Sequence, residues 1–172
     1  MIMPPGQPLL LPAKPGFIWG SLVAALMLNL LPTGRTPWMP DLLALVLVFW
    51  SVHQPQRVRL GAAFLFGLAM DVHQGSLLGQ HALAYTVLGY FAISIHRRLI
   101  WFPVLSQALQ VLPLLAAARA IEVLPRLLAG DGGPGWSAAL APLIEAALWP
   151  LVSLILLAPQ RRAHDPDETR PL

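Results

Sequence analysis

The sequence contains no cysteine. Disulfide bonds, thiolate chemistry and cysteine-ligated zinc sites are therefore excluded. The histidines His53, His73, His81 and His96 do not show the spacing of metal ligands, so we expect no metal ion or other cofactor. The sequence also offers no pairing of a nucleophile with a base, no paired carboxylate centre and no phosphate-binding glycine loop. We predict that the chain is not an enzyme.

Charge is scarce as well. Only 11% of the 172 residues are charged and 56% are hydrophobic, whereas a typical soluble domain has about 25% charged residues. So few polar groups cannot cover a globular surface, and the composition predicts an integral membrane protein. The eleven basic residues are spread along the chain rather than gathered on one face. We therefore expect no binding of nucleic acid.

Six apolar segments divide the chain. They cover residues 17–31, 38–52, 60–72, 77–95, 101–129 and 136–158. Several are shorter than the roughly 20 residues that span a bilayer, and prolines interrupt the last two. We predict an all-α integral membrane protein, a compact bundle of six short or kinked transmembrane helices. Residues 1–16 are expected to be a flexible N-terminal segment, 17–158 the membrane domain and 159–172 a flexible cytoplasmic tail.

The distribution of basic residues gives an orientation. With six spans, both chain ends and the second and fourth loops lie on one side of the membrane. That side holds eight of the eleven basic residues: Lys14, Arg57, Arg59, Arg97, Arg98, Arg161, Arg162 and Arg170. The positive-inside rule makes this side cytoplasmic, with both termini in the cytoplasm. No small-residue cleavage site follows the first segment, so we expect it to be an uncleaved membrane helix.

Asp71 ends the third apolar segment and precedes a turn that contains Gly75 and Gly79. A carboxylate at the edge of a bilayer is costly to place. It is expected to act as a site for a partner or an ion, or as a cap that fixes the following turn. A compatible expectation is that it lies just past the helix end and accepts backbone N–H groups of the turn. The two glycines either adopt positive φ or allow two backbones to approach closely.

Four charged residues fall inside the last two segments. Arg119, Glu122 and Arg126 are three and four residues apart, so Glu122 can pair with either arginine on one helix face. Glu145 is isolated in the sixth segment and is predicted to pair with one of the arginines across helices. The set is interpreted as an internal ion-pair network, with a docking site for a charged transmembrane partner as the alternative.

His81, Tyr85 and Gly89 recur every four residues and form one stripe along the fourth segment. Such a stripe is typical of an internal packing seam that includes a few hydrogen bonds. A pocket between helices is the alternative, and it would hold a small molecule. Its lining would be Gln80, His81, Tyr85, Gln107 and Gln110.

Two stretches carry a family resemblance. They are PDLLALVLVFW at 40–50 and GAAFLFGLAMDVHQGSLLGQHALAYTVLGY at 61–90. A Pro-Asp pair opens the second span, Gly-Leu-x-x-Asp ends the third, and Leu-Gly-x-x-Ala-Leu starts the fourth. The pair Arg97–Arg98 and the Trp-Pro of the last span add to the pattern, which resembles the rod shape-determining protein MreD family from about residue 17 to 162.

The resemblance implies a non-enzymatic scaffold of the cell-wall elongation machinery in the bacterial inner membrane. It implies association with MreC, and through it with MreB, RodA and a penicillin-binding transpeptidase. The partner-binding positions that it suggests are Pro40, Asp41, Gly67, Asp71, Gly75 and Gly79. We place Asp41 in the first turn of a helix, where a carboxylate is favoured. The rival functions are a vitamin-type binding subunit of a transporter and, least favoured, a membrane-embedded hydrolase.

Overall fold

The computed structural model describes residues 13–31, 36–130, 132–133 and 135–160, and all regular elements in these ranges are helical. The described ranges contain six α-helices: α1 (Pro15–Leu30), α2 (Leu42–His53), α3 (Leu60–Gln74), α4 (Gln80–Ile100), α5 (Val104–Leu128) and α6 (Leu140–Leu157). Short 3₁₀ turns, Trp136–Ala139 and Ala158–Gln160, flank α6. The all-α architecture and the six predicted segments are confirmed.

Several boundaries differ from the predicted segments. Helix α1 begins at Pro15, inside the segment expected to be flexible, because proline is well suited to the first position of a helix. Helix α4 continues to Ile100, so Arg97 and Arg98 belong to its last turn and not to a loop. Basic side chains are favoured there by the helix dipole. The predictions for residues 1–12 and 161–172 lie outside the described residues.

Helix α2 forms the centre of the bundle. Nine of its twelve residues are buried, on all sides of the helix, which is the pattern of a helix enclosed by others. It packs against α1, α4 and α6, and the indole of Trp50 donates to Ser21 Oγ of α1 at 2.8 Å. The core is thus built around the shortest helix.

The helices alternate in direction. Hydrogen bonds of Asn29, Asp41 and Glu145 join the end of α1 to the starts of α2 and α6. A hydrogen bond between Asp71 and Gly79 joins the end of α3 to the start of α4. Both groups lie at one end of the bundle. We call this the polar end of the bundle. The opposite end carries Lys14, Arg57, Arg59, Arg97 and Arg98 and is called the basic end. The bundle therefore separates its buried acidic groups from these cationic ones.

The outer surface of the helices is apolar. Exposed side chains include Val23 and Met27 of α1, Phe91 of α4, Leu109 of α5 and Leu154 of α6. Within the described residues, one continuous helical stretch, Trp136–Gln160, is long and apolar enough to cross a membrane, and Pro15–Leu30 and Leu42–His53 are apolar but shorter. A water-soluble monomer rarely exposes apolar patches of this extent.

Candidate functional site

Asp71 caps the start of α4 from the neighbouring helix. It lies in the last turn of α3, not past its end as predicted, and it is only 1% exposed. Its carboxylate accepts the backbone N–H groups of Gly79, His81 and Ala82 at 2.8, 2.8 and 3.3 Å. These are orphan donors of the first helical turn, which Gly79 at the N-cap has no side chain to satisfy. The prediction that Asp71 accepts backbone N–H groups is confirmed.

Two side chains complete the contacts of Asp71. Ser76 Oγ donates to Asp71 Oδ1 at 3.0 Å, and His81 Nδ1 lies 2.8 Å from the same oxygen. Because the carboxylate oxygen accepts, the proton of this bond is on Nδ1 of His81. Ser76 Oγ also lies 3.5 Å from Nδ1, on the side of the ring that faces the carboxylate. In a catalytic triad the hydroxyl and the carboxylate bind opposite nitrogens, so this cluster lacks the geometry of a hydrolase.

The two glycines of the α3–α4 hairpin act through their backbone conformation. Gly75 and Gly79 have φ of 58° and 100°, which L-residues with side chains rarely adopt. A Cβ at either position would meet nothing within 4 Å, so the alternative of close backbone approach is wrong for both. That approach occurs at Gly67, where a Cβ would lie 2.4 Å from Ala82 Cα. Gly67 therefore lets α3 and α4 pack closely.

Asp41 is the centre of a second polar cluster. It is the N-cap of α2 rather than a first-turn residue, and its Oδ1 accepts the N–H of Ala44 at 2.9 Å. The amide of Asn29 donates to the same oxygen at 2.6 Å, and the hydroxyl of Tyr85 donates to Oδ2. The backbone N–H of Asp41 donates to Glu145 Oε1 at 2.7 Å. Asp41 thereby joins α1, α2, α4 and α6.

The arginines follow the prediction in part. Arg119 pairs with Glu122 at 3.0 Å as expected, and it also donates to the carbonyl of Met39 at 3.0 Å. Arg126 is exposed and forms no ion pair with any residue that the structure describes. The predicted contact of Glu145 with an arginine is wrong, because Glu145 is turned toward the start of α2 and binds the Asp41 N–H instead.

The cluster around Asp41 contains more carboxylates than cationic side chains. Three carboxylates, those of Asp41, Glu122 and Glu145, share with Arg119 the lining of a cavity of about 10 Å³. That volume is about the size of one water molecule. The arrangement fixes the relative positions of five helices and the chain before α2. It does not present a nucleophile or an open substrate cleft.

Two members of this cluster were missed by sequence reasoning or given another role. Asn29 accepts the N–H of Leu42 at 3.2 Å while it donates to Asp41, and the signal for it was a lone amide in an apolar segment. Tyr85 was placed in the internal stripe of α4, which is confirmed: His81 and Tyr85 are buried, and Gly89 lies against Ala63 and Ser51. That Tyr85 reaches Asp41 depends on how α4 is rotated.

The predicted partner-binding residues differ in exposure. Gly67 and Asp71 are buried beneath α4, so neither presents a surface to another protein. Pro40, Asp41 and Gly79 are half-buried and Gly75 is exposed. Three large apolar side chains around the hairpin are exposed, those of Val72, Leu77 and Leu78.

Four of the five residues predicted to line a small-molecule pocket are hydrogen-bonded within the protein. Gln80 donates to the carbonyl of Glu122, and Gln107 accepts from the indole of Trp149 at 3.2 Å. His81 and Tyr85 bind the two aspartates, as described above. None of the five lines the cavity that Asp41, Glu122, Glu145 and Arg119 share. Gln80 Oε1 is buried without a hydrogen-bond partner among the described residues.

The chain is similar in sequence to known proteins. Residues 14–158 match the family of rod shape-determining protein MreD. The chain is also 32% identical over 135 residues to the rod shape-determining protein MreD of Haemophilus influenzae, which covers 76% of this chain and 81% of that protein. No solved structure matches. A family match over most of the chain and a relative at this identity are sufficient to assign it: the chain belongs to the rod shape-determining protein MreD family.

Proposed function

We propose that the chain is a six-span scaffold of the bacterial inner membrane that maintains rod shape by holding MreC and, through it, the peptidoglycan synthases. The observation that carries the proposal is the family match over residues 14–158. Members of this family are non-enzymatic shape-determining proteins. The internal bonding of Asp71, His81 and Ser76 supports a structural role for the polar groups.

The proposed orientation puts the basic end in the cytoplasm and the polar end at the periplasmic face. Five described basic residues lie at the basic end, in agreement with the positive-inside rule. The helices α1, α2 and α3, of 16, 12 and 15 residues, would be about 24, 18 and 22 Å long, shorter than the ~30 Å hydrocarbon core. We infer that they cross with local thinning of the bilayer, sheltered by the longer helices.

We propose that the partner docks at the α3–α4 hairpin of the polar end. Val72 and Leu78 are 71% and 75% exposed there, beside a turn that Asp71 holds in place. Apolar side chains at the centre of an interface supply most binding energy, whereas the buried Asp71 acts by fixing the turn that presents them. This assigns to Leu78 the contact that the sequence analysis gave to Asp71.

The test is co-purification of MreC with a tagged chain carrying Leu78→Gln. An amide buried in an apolar contact without a partner costs about 1–3 kcal/mol, so we expect about a tenfold loss of recovered MreC. Leu105→Gln is the matched control, because Leu105 is 73% exposed at the opposite end of the bundle. The amount of each variant in the membrane fraction is measured in parallel.

The same variants are then tested in cells depleted of the native protein. We expect Leu105→Gln to restore rods and Leu78→Gln to leave the cells rounded. Full recovery of MreC together with normal rods for Leu78→Gln would show that docking at this hairpin is wrong.

A further inference from the structure

A groove opens between α1 and α3 at the basic end. Its volume is about 440 Å³, within the range of ligand sites. Trp19 and Leu26 of α1 form one wall. The other wall is formed by Ala62, Leu65, Phe66 and Ala69 of α3. Trp19 and Phe66 stack across it, with ring centroids 6.4 Å apart.

Two arginines stand at the mouth of the groove. Arg57 follows α2 and Arg59 is the N-cap of α3, and both line the cavity. Both are exposed, and neither forms an ion pair with a residue in the described ranges. An apolar slot that ends in two uncompensated guanidinium groups matches a molecule with a hydrocarbon chain and an anionic head.

The size of the groove limits what can occupy it. Its walls extend over eight residues of each helix, from Trp19 to Leu26 and from Ala62 to Ala69, or about 10 Å. An α-helix with its side chains is about 10–12 Å wide, whereas an acyl chain is a single file of methylene groups. A narrower occupant, such as an acyl chain, fits the space.

We propose that this groove binds an anionic phospholipid of the cytoplasmic leaflet. One acyl chain lies between α1 and α3, and the phosphate is held by Arg57 and Arg59. Guanidinium groups bind phosphate oxygens in a bidentate manner, and basic pockets between membrane helices select anionic head groups. The inference rests on the membrane orientation in the proposed function, but not on the docking of MreC, which is assigned to the other end.

The test is native mass spectrometry of the purified full chain in mild detergent. Phosphatidylglycerol and phosphatidylethanolamine are added in equal amounts, and the adducts of each are counted. For Arg57→Gln/Arg59→Gln we expect about a 25-fold loss of phosphatidylglycerol adducts, since each arginine near a lipid surface contributes on the order of a fivefold preference. Arg97→Gln/Arg98→Gln is the matched control, with the same charge change at the same end but outside the groove.

A second variant tests the apolar part of the site. Ala69 is exposed on the groove wall, and Ala69→Phe places a ring in the space of the acyl chain without changing the arginines. We expect this variant to lose adducts of both lipids. Equal losses for the two arginine pairs, or normal adducts for Ala69→Phe, would overturn the proposal.

These outcomes are separate from those of the docking test. Lipid adducts are counted on the chain alone, so loss of MreC binding by Leu78→Gln leaves this result unaffected. If the groove variants keep their adducts but fail to recover MreC, the groove holds protein rather than lipid, and the proposal is wrong.

Discussion

Asp71 illustrates what a single residue does at the polar end. One carboxylate from α3 satisfies three N–H groups at the start of α4 and two neighbouring side chains. The sequence predicted a carboxylate that accepts backbone N–H groups beside a glycine turn. It did not predict that the donors belong mainly to the next helix, because that depends on how the hairpin folds back.

Asp71→Ala is expected to destabilise the folded protein. Removing the acceptor leaves buried N–H groups of α4 unpaired, which costs about 2–4 kcal/mol. The melting temperature in detergent should fall by roughly 5–15 °C.

Asp71→Asn and Ser76→Ala serve as graded controls. Asparagine keeps one acceptor oxygen, so we expect a smaller loss than for alanine. Ser76→Ala removes one of five hydrogen bonds and should cost about 1 kcal/mol. A melting temperature of Asp71→Ala within about 2 °C of the wild type would contradict the capping role.

At the scale of helices, the spacing of charged residues within one segment predicted their contacts better than the pairing of charges between segments did. Arg119 and Glu122 pair as their three-residue separation predicted. Glu145 binds the Asp41 N–H and not an arginine, because contacts between helices depend on the rotation and depth of each helix. The sequence pattern constrains neither quantity closely.

The α3–α4 pair depends on a glycine at its crossing. Gly67→Ala is expected to destabilise the fold, since its Cβ would lie 2.4 Å from the backbone of Ala82 and the helices would have to separate. Overpacking of this kind costs about 1–3 kcal/mol. Thermal unfolding and the yield of folded protein measure the effect.

Gly61→Ala is the matched control on the same helix. A Cβ at Gly61 would meet nothing within 4 Å, and alanine is favoured over glycine in a helix by up to about 1 kcal/mol. We expect unchanged or raised stability. If Gly67→Ala is as stable as Gly61→Ala, the close helix approach is not required.

The whole molecule has two chemically different ends. The polar end joins its helices through buried carboxylates and presents Leu78, whereas the basic end carries unpaired arginines beside an apolar groove. The sequence predicted the number of helices, the side of the bundle on which most basic residues lie, and the family. It could not locate the groove, because cavities arise from the packing of helices that are distant in sequence.

The central claim is that the polar end faces the periplasm and the basic end the cytoplasm. Single cysteines test it directly, because the chain has no cysteine of its own. Trp136 and Trp101 make a matched pair, 87% and 88% exposed at the polar and basic ends. Labelling of intact spheroplasts with a membrane-impermeant maleimide is the measurement. We predict that Trp136→Cys is labelled at once and Trp101→Cys only after the membrane is permeabilised; the reverse pattern, or labelling of both in intact spheroplasts, would contradict the account.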